Sequence, residues 1–150
     1  VDDPQPQSET AAQKRRRDVL AMDFLTRRVQ LLDDRIKQMV TRRCVETQHL
    51  DRKLLVYCRE RDGDQEDRGR DGRGGESLKT RVKEYLELLE QAFGKFDRRL
   101  QIIIQLTERA NTVESCEKVE VLVEQIRSDV ESEEKRMKLI FNGLEKDIRG

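Results

Sequence analysis

The chain has no tryptophan, and Phe and Tyr together supply only six of its 150 residues. A globular core is hard to build from so little aromatic volume. A coiled coil is not, because it needs only two apolar positions in seven. Proline is confined to Pro4 and Pro6, so no proline interrupts a helix beyond them. Five of the eight glycines fall within Asp62–Gly75. The three cysteines, Cys44, Cys58 and Cys116, are odd in number and form no CxxC, which excludes a disulfide framework and a zinc module. Reduced thiols in an intracellular, cytoplasmic setting are the expectation, with the nucleus as the alternative. No apolar run approaches the roughly 20 residues that a bilayer requires, so no membrane insertion is expected. The opening residues are polar and acidic and do not read as a signal peptide.

Catalytic motifs are also missing. There is no nucleophile elbow, no phosphate-binding glycine loop and no H-E-x-x-H pair. His49 is the only histidine. With Cys44 and Cys58 it gives C-x4-H-x8-C, which lacks the paired short spacings of a zinc site. The chain is therefore read as a non-enzyme with no cofactor and no metal.

What the sequence has is charge and periodicity. Charged residues make up 41% of it, balanced at 31 basic and 31 acidic. The overall balance hides a local asymmetry. Lys14–Arg61 carries 14 bases and 7 acids, a net of +7, and Asn111–Gly150 carries 7 bases and 10 acids, a net of −3. The basic first helix is expected to lie beside the acidic last one, or to meet an acidic partner.

The apolar residues recur every three or four positions, which places them on one face of a helix. One stripe runs Val82, Tyr85, Leu89, Phe93, Phe96, Leu100, Ile103 and Ala110. A second runs Cys116, Val119, Val123, Ile126, Val130, Met137, Ile140 and Leu144, with Glu133 at a seam position between Val130 and Met137. The first helix has a seam of Met22, Leu25, Val29, Leu32, Ile36, Val40, Arg43, Thr47, Leu50, Leu54 and Tyr57. Two consecutive steps of four near Ile36 predict a stutter there. Arg43 and Thr47 are polar seam residues of the kind that set register. At 1.5 Å per residue this helix reaches roughly 75 Å, so one end is expected to project or to pair with another chain.

The expected fold is all-α: an elongated antiparallel helical hairpin, or a three-helix coiled-coil bundle. A disordered N-terminal segment spans 1–12 and a long amphipathic helix spans 13–61. A flexible linker over 62–76 breaks the helix by its glycine density. A hairpin over 77–150 has helices at about 77–110 and 112–149. Ser8 or Thr10 caps the first helix and Ser77 the second. The stripe loses phase at Asn111–Thr112, where Asn111 with Glu114 resembles a capping box, so a tight turn is favoured over one continuous helix. Leu86, Leu88, Ile102, Ile104 and Leu106 widen the apolar face of the second helix, as contact with two neighbours would require. Gly94, inside that helix, suggests a close helix contact.

Function is read from the stripes. The expectation is a coiled-coil scaffold or subunit of a larger assembly of cytoskeletal, kinetochore or vesicle-tethering type. It pairs with a protein partner, itself or another chain, through Leu25, Val29, Leu32 and Ile36 of the first helix and Leu89, Phe93, Phe96, Ile103, Val123, Ile126 and Ile140 of the hairpin. The alternative is a nuclear, RNA-processing role in which Lys14, Arg15, Arg16 and Arg17 contact nucleic acid or direct import. The chain matches the motifs of no family. It lacks the first-helix tryptophan typical of spectrin-type repeats and the anchor that usually accompanies a SNARE helix.

Overall fold

The computed structural model describes the backbone of residues 9–62 and 68–149, and the side chains of 9–60 and 77–149. Three helices follow one another: α1 (Ala11–Asp62), α2 (Arg68–Arg109) and α3 (Val113–Arg149). Among the described residues there is no strand. Each helix packs against both of the others, so the fold is a three-helix bundle.

Its topology follows from the contacts between helices. Asp18, Arg28 and Lys53 of α1 meet Val113, Glu124 and Glu145 of α3 in the same order, so those helices run parallel. Arg99 and Arg81 of α2 meet Asp129 and Asp147 in reverse order, so α2 is antiparallel to α3. The path is up, down, up. Because Val113 sits beside Asp18, the residues Ala11–Arg17 of α1 stand beyond the start of α3.

Local chemistry sets the starts of two helices. Thr10 Oγ1 accepts from the Gln13 N–H at 3.2 Å, and Gln13 Oε1 accepts from the Thr10 N–H at 3.1 Å. This is a reciprocal capping box, with Thr10 rather than Ser8 supplying the cap. Residues 110–112 leave the helix, so the stretch after Ala110 is a turn. The cap of α3 is Thr112, one residue later than Asn111. Thr112 Oγ1 accepts from the Ser115 N–H at 3.1 Å, and Ser115 Oγ accepts from the Thr112 N–H at 2.9 Å. A hydroxyl pair three residues apart closes the same ring that Asn111 and Glu114 would have closed. Asp18 of α1 adds a cap from outside, accepting from the Val113 N–H at 3.0 Å.

Four expectations need correction. Of the flexible linker over 62–76, positions 63–67 lie outside the described residues, and from Arg68 the backbone is helical. Ser77 therefore lies inside α2 and caps nothing. Each glycine costs a helix about 1 kcal/mol, but extending a helix already nucleated needs no second nucleus. The stutter near Ile36 is absent. Met39, not Val40, is the fully buried residue, so the inward column runs Leu25, Val29, Leu32, Ile36, Met39, Arg43 in unbroken steps of four and three. Gly94 marks no close approach, because an added Cβ would meet only Arg98 of its own helix, at 3.8 Å. Of the disordered segment expected over 1–12, residues 1–8 lie outside the described residues, and the helix has begun by Ala11.

The core has two parts. One gathers Leu25, Val29, Leu32, Ile36 and Met39 of α1 with Phe96, Leu100 and Ile103 of α2 and Cys116 to Val130 of α3. The other gathers Leu50 of α1 with Leu78, Val82, Tyr85 and Leu89 of α2 and Met137, Phe141, Leu144 and Ile148 of α3. The wide apolar face of α2 serves both neighbours, as expected.

Candidate partner-binding face

The two core parts are separated by polar side chains. Arg43 is 1% exposed and Tyr85 2%, and Glu134 is buried too. Arg43 Nη1 lies 2.8 Å from Glu46 Oε2, without an aligned hydrogen bond. It also lies beside the Tyr85 hydroxyl, which has no aligned partner of its own. Burial raises the Tyr85 pKa, and the neighbouring Arg43 only partly offsets it. Glu134 receives Arg42 and Arg35, each at 2.8 Å. The acid at the seam is thus Glu134 and not Glu133, which is half-buried. The reason is helical phase: Val130, Glu134 and Met137 follow in steps of four and three.

This layer can fix register. The rows Leu25, Leu32 and Met39 of α1 and Cys116, Val123, Val130, Met137 and Leu144 of α3 repeat every seven residues, so a slide of one heptad leaves those rows matched, while the second row of α3 steps by eight from Ile126 to Glu134. The same slide places Arg127 or Phe141 opposite Arg35 and Arg42 in place of Glu134. Polar seam residues specify register in this way, at some cost in stability.

The eleven residues expected at a partner interface lie within the chain's own bundle. Leu25, Val29, Leu32, Ile36, Leu89, Phe96, Ile103, Val123 and Ile126 are buried between its helices. Phe93 and Ile140 are half-buried against the same cores. In this fold they are covered without any second chain.

The surface left open lies elsewhere. Eleven large apolar side chains among the described residues are exposed, and seven of them belong to α1: Val19, Leu20, Phe24, Leu31, Val45, Leu55 and Val56. Leu20 (62% exposed), Phe24 (53%), Leu31 (68%), Val45 (61%) and Leu55 (60%) share one column. Filled in, that column is Leu20, Phe24, Arg27, Leu31, Asp34, Gln38, Thr41, Val45, Gln48, Arg52 and Leu55, in strictly alternating steps of four and three. Every member is exposed. It therefore forms a second heptad seam on the exposed side of α1, whose first part, Leu20 to Leu31, borders grooves against α3. Phe24 is held by Arg28, whose guanidinium sits 5.5 Å from the ring centre and pairs with Glu124 of α3. A search for the most apolar column finds the inward seam and passes over this one. Its signal was Phe24, Leu31 and Val45 at multiples of seven.

The basic cluster opens α1. Lys14, Arg15 and Arg16 are exposed, while Arg17 pairs with Glu9. Cys44 and His49 are exposed on α1 and Cys58 is half-buried. Cys44 and Cys58 are roughly 21 Å apart along one helix, from a rise of 1.5 Å per residue. Among the described residues no cluster of His, Cys, Asp and Glu is placed to hold a metal ion. Cys116 is buried, and burial, then the charges of Glu120 and Asp18, push its thiol pKa up. Such a thiol stays protonated and is a poor nucleophile. Among the described residues no helix is long and apolar enough to cross a membrane. The surface concavities are shallow grooves between helices, such as that of Leu31 and Arg35 with Val123 and Arg127.

Comparison with known proteins adds no relative: no family model, no curated protein and no solved structure matches this chain.

Proposed function

We propose that this protein is a non-enzymatic helix-pairing module, a scaffold or subunit of a larger intracellular assembly, that engages its partner through the outward seam of α1. The observation behind this reading is the column Leu20, Phe24, Leu31, Val45 and Leu55, exposed on a helix whose other face already fills the bundle core. Apolar side chains in a heptad register lose water when a second helix lies along them, each contributing roughly 1.5–3 kcal/mol when fully covered. A bundle with a satisfied core and an unsatisfied outer column suits a fixed platform for another helix better than a chain awaiting a partner in order to fold. Assemblies of cytoskeletal, kinetochore or tethering type use such platforms. A cytoplasmic setting fits the exposed thiol of Cys44.

The test is a double variant, Leu31→Asp with Val45→Asp. Both positions are exposed, so helicity by circular dichroism should be unchanged. Association should be lost, whether with itself by light scattering on a sizing column or with other chains by co-purification. Association that survives the double variant refutes this reading.

A further inference from the structure

The outward seam of α1 carries charge as well as apolar surface, and the charge selects among partners. We infer that its occupant is an acidic amphipathic helix of another protein, not a second copy of this chain; this rests on the helix-pairing reading above. Continued by one step at each end, three residues back and four on, the column gains Arg17 and Arg59, both exposed, of which Arg17 pairs with Glu9. Its charged members are Arg17, Arg27, Arg52 and Arg59 against Asp34 alone, and with Arg17 answered by Glu9 three unpaired positive charges and one negative leave +2. Among the described residues Arg27, Arg52 and Arg59 have no ion-pair partner, whereas the adjoining column of Arg28, Arg35 and Arg42 is matched by Glu124 and Glu134 of α3.

Glu124 and Glu134 are therefore committed on one side of α1, and its outer side is left basic. Two copies meeting through this face bring +2 against +2, and parallel pairing sets each arginine against itself, which is unfavourable beside a desolvating seam. In α3 of a second copy Glu124, Glu134 and Glu145 already face bases of their own α1, and the acids left without an ion pair at its start, Glu114, Glu117 and Glu120, span only about two turns against a seam of 36 residues. A nucleic-acid backbone would satisfy the arginines but leave Leu20, Phe24, Leu31 and Val45 in water. A helix with apolar residues at seam positions and Glu or Asp beside them covers both. From Leu20 to Leu55 the seam is about 54 Å long, from 36 residues at 1.5 Å each, which calls for about five heptads of partner.

The experiment uses the full chain and two synthetic peptides of about five heptads with leucine at both seam positions, one flanked by glutamate and its twin by lysine. The glutamate peptide should bind on the order of tenfold tighter than the lysine twin at low salt, and the gap should shrink as salt is raised. Leu31→Asp should abolish binding, and Arg27→Glu with Arg52→Glu should reverse the preference, all with unchanged helicity. Equal binding of the two peptides overturns the inference. So does a dimer of the chain that Leu31→Asp splits, which leaves helix pairing standing with a second copy as partner. Binding of a duplex RNA through Arg27 and Arg52 that ignores Leu31→Asp also overturns it. If neither peptide binds and the chain is a monomer with no co-purifying partner, this inference and the helix-pairing reading both fall.

Discussion

The two halves of the bundle are built differently. In the half closed by the 110–112 turn, α1 contributes five fully buried side chains, from Leu25 to Met39. In the other half it contributes one, Leu50, with Leu54 and Tyr57 only partly covered. There the core is chiefly an α2–α3 hairpin, Leu78 to Leu89 against Met137 to Ile148, with α1 lying along its edge. The layer of Arg43, Glu46, Tyr85 and Glu134 divides the two regimes. A buried charge with imperfectly aligned partners adds little stability. What the layer supplies is register, while Ala92 and Phe93 of α2 pack against both parts of the core and carry the apolar contact past it. α1 is thus anchored at one end and lightly held at the other.

The largest expected effect separates the halves directly. Leu32→Ala should cost about 2–5 kcal/mol, because it removes a fully packed side chain and leaves a cavity. Leu54→Ala, on the same helix but half-buried, should cost less than about 1.5 kcal/mol. Urea unfolding of both variants measures the contrast, and equal losses would erase it. Amide exchange should agree, with protection along α1 higher at Val29–Met39 than at Leu50–Tyr57.

Next in size is the cap that starts α3. Thr112→Ala should lower stability by about 1 kcal/mol, and Thr112→Ser should restore most of it. Thermal melts of the two variants decide this, and an unchanged midpoint for Thr112→Ala would mean that Asp18 alone holds the helix start.

A stabilising change is expected in the weaker half. Gly143 lies inside α3, and an added Cβ there meets nothing within 4 Å. Gly143→Ala should therefore raise stability by roughly 0.5–1 kcal/mol through helix propensity. A loss in urea unfolding would show that the open space is needed.

The smallest effect at neutral pH concerns the dividing layer. Tyr85→Phe removes a buried hydroxyl without an aligned partner, so stability at pH 7 should hold or rise slightly. The sign at high pH is definite. Burial raises the folded-state pKa above the ordinary value of about 10, so above that pH the unfolded chain gives up the proton that the folded chain retains. Stability should fall as pH rises past about 10, and Tyr85→Phe should reduce that fall. Melting midpoints from pH 8 to 11 for both proteins test it.

Much of the fold was legible because periodicity is a local property. The steps of three and four through Val82–Ile103 and Cys116–Leu144 announce helices whatever they pack against. The loss of phase at Asn111–Thr112 marks a turn without any glycine or proline. The near misses were of one residue: Met39 for Val40, Glu134 for Glu133, Thr112 for Asn111. In each case neighbouring residues suit the position about equally, and helical phase relative to the other helices chooses between them. The candidate partner face was not legible in the same way, since the most apolar columns are the ones a bundle consumes for itself.

By itself the sequence determined that this protein is three long helices with charged exteriors, because helix formation and capping depend on residues within a few positions of one another. α1 carries two heptad columns, however, one through Leu25, Leu32 and Met39 and one through Phe24, Leu31 and Val45. The richer of the two is legible as a seam, and that it is covered by the chain's own α2 and α3 and not by a second chain was decided only by the tertiary structure. Burial belongs to a pair of surfaces, and the inward column is the one that lets Arg28, Arg35 and Arg42 meet Glu124 and Glu134 while its leucines meet α2 and α3.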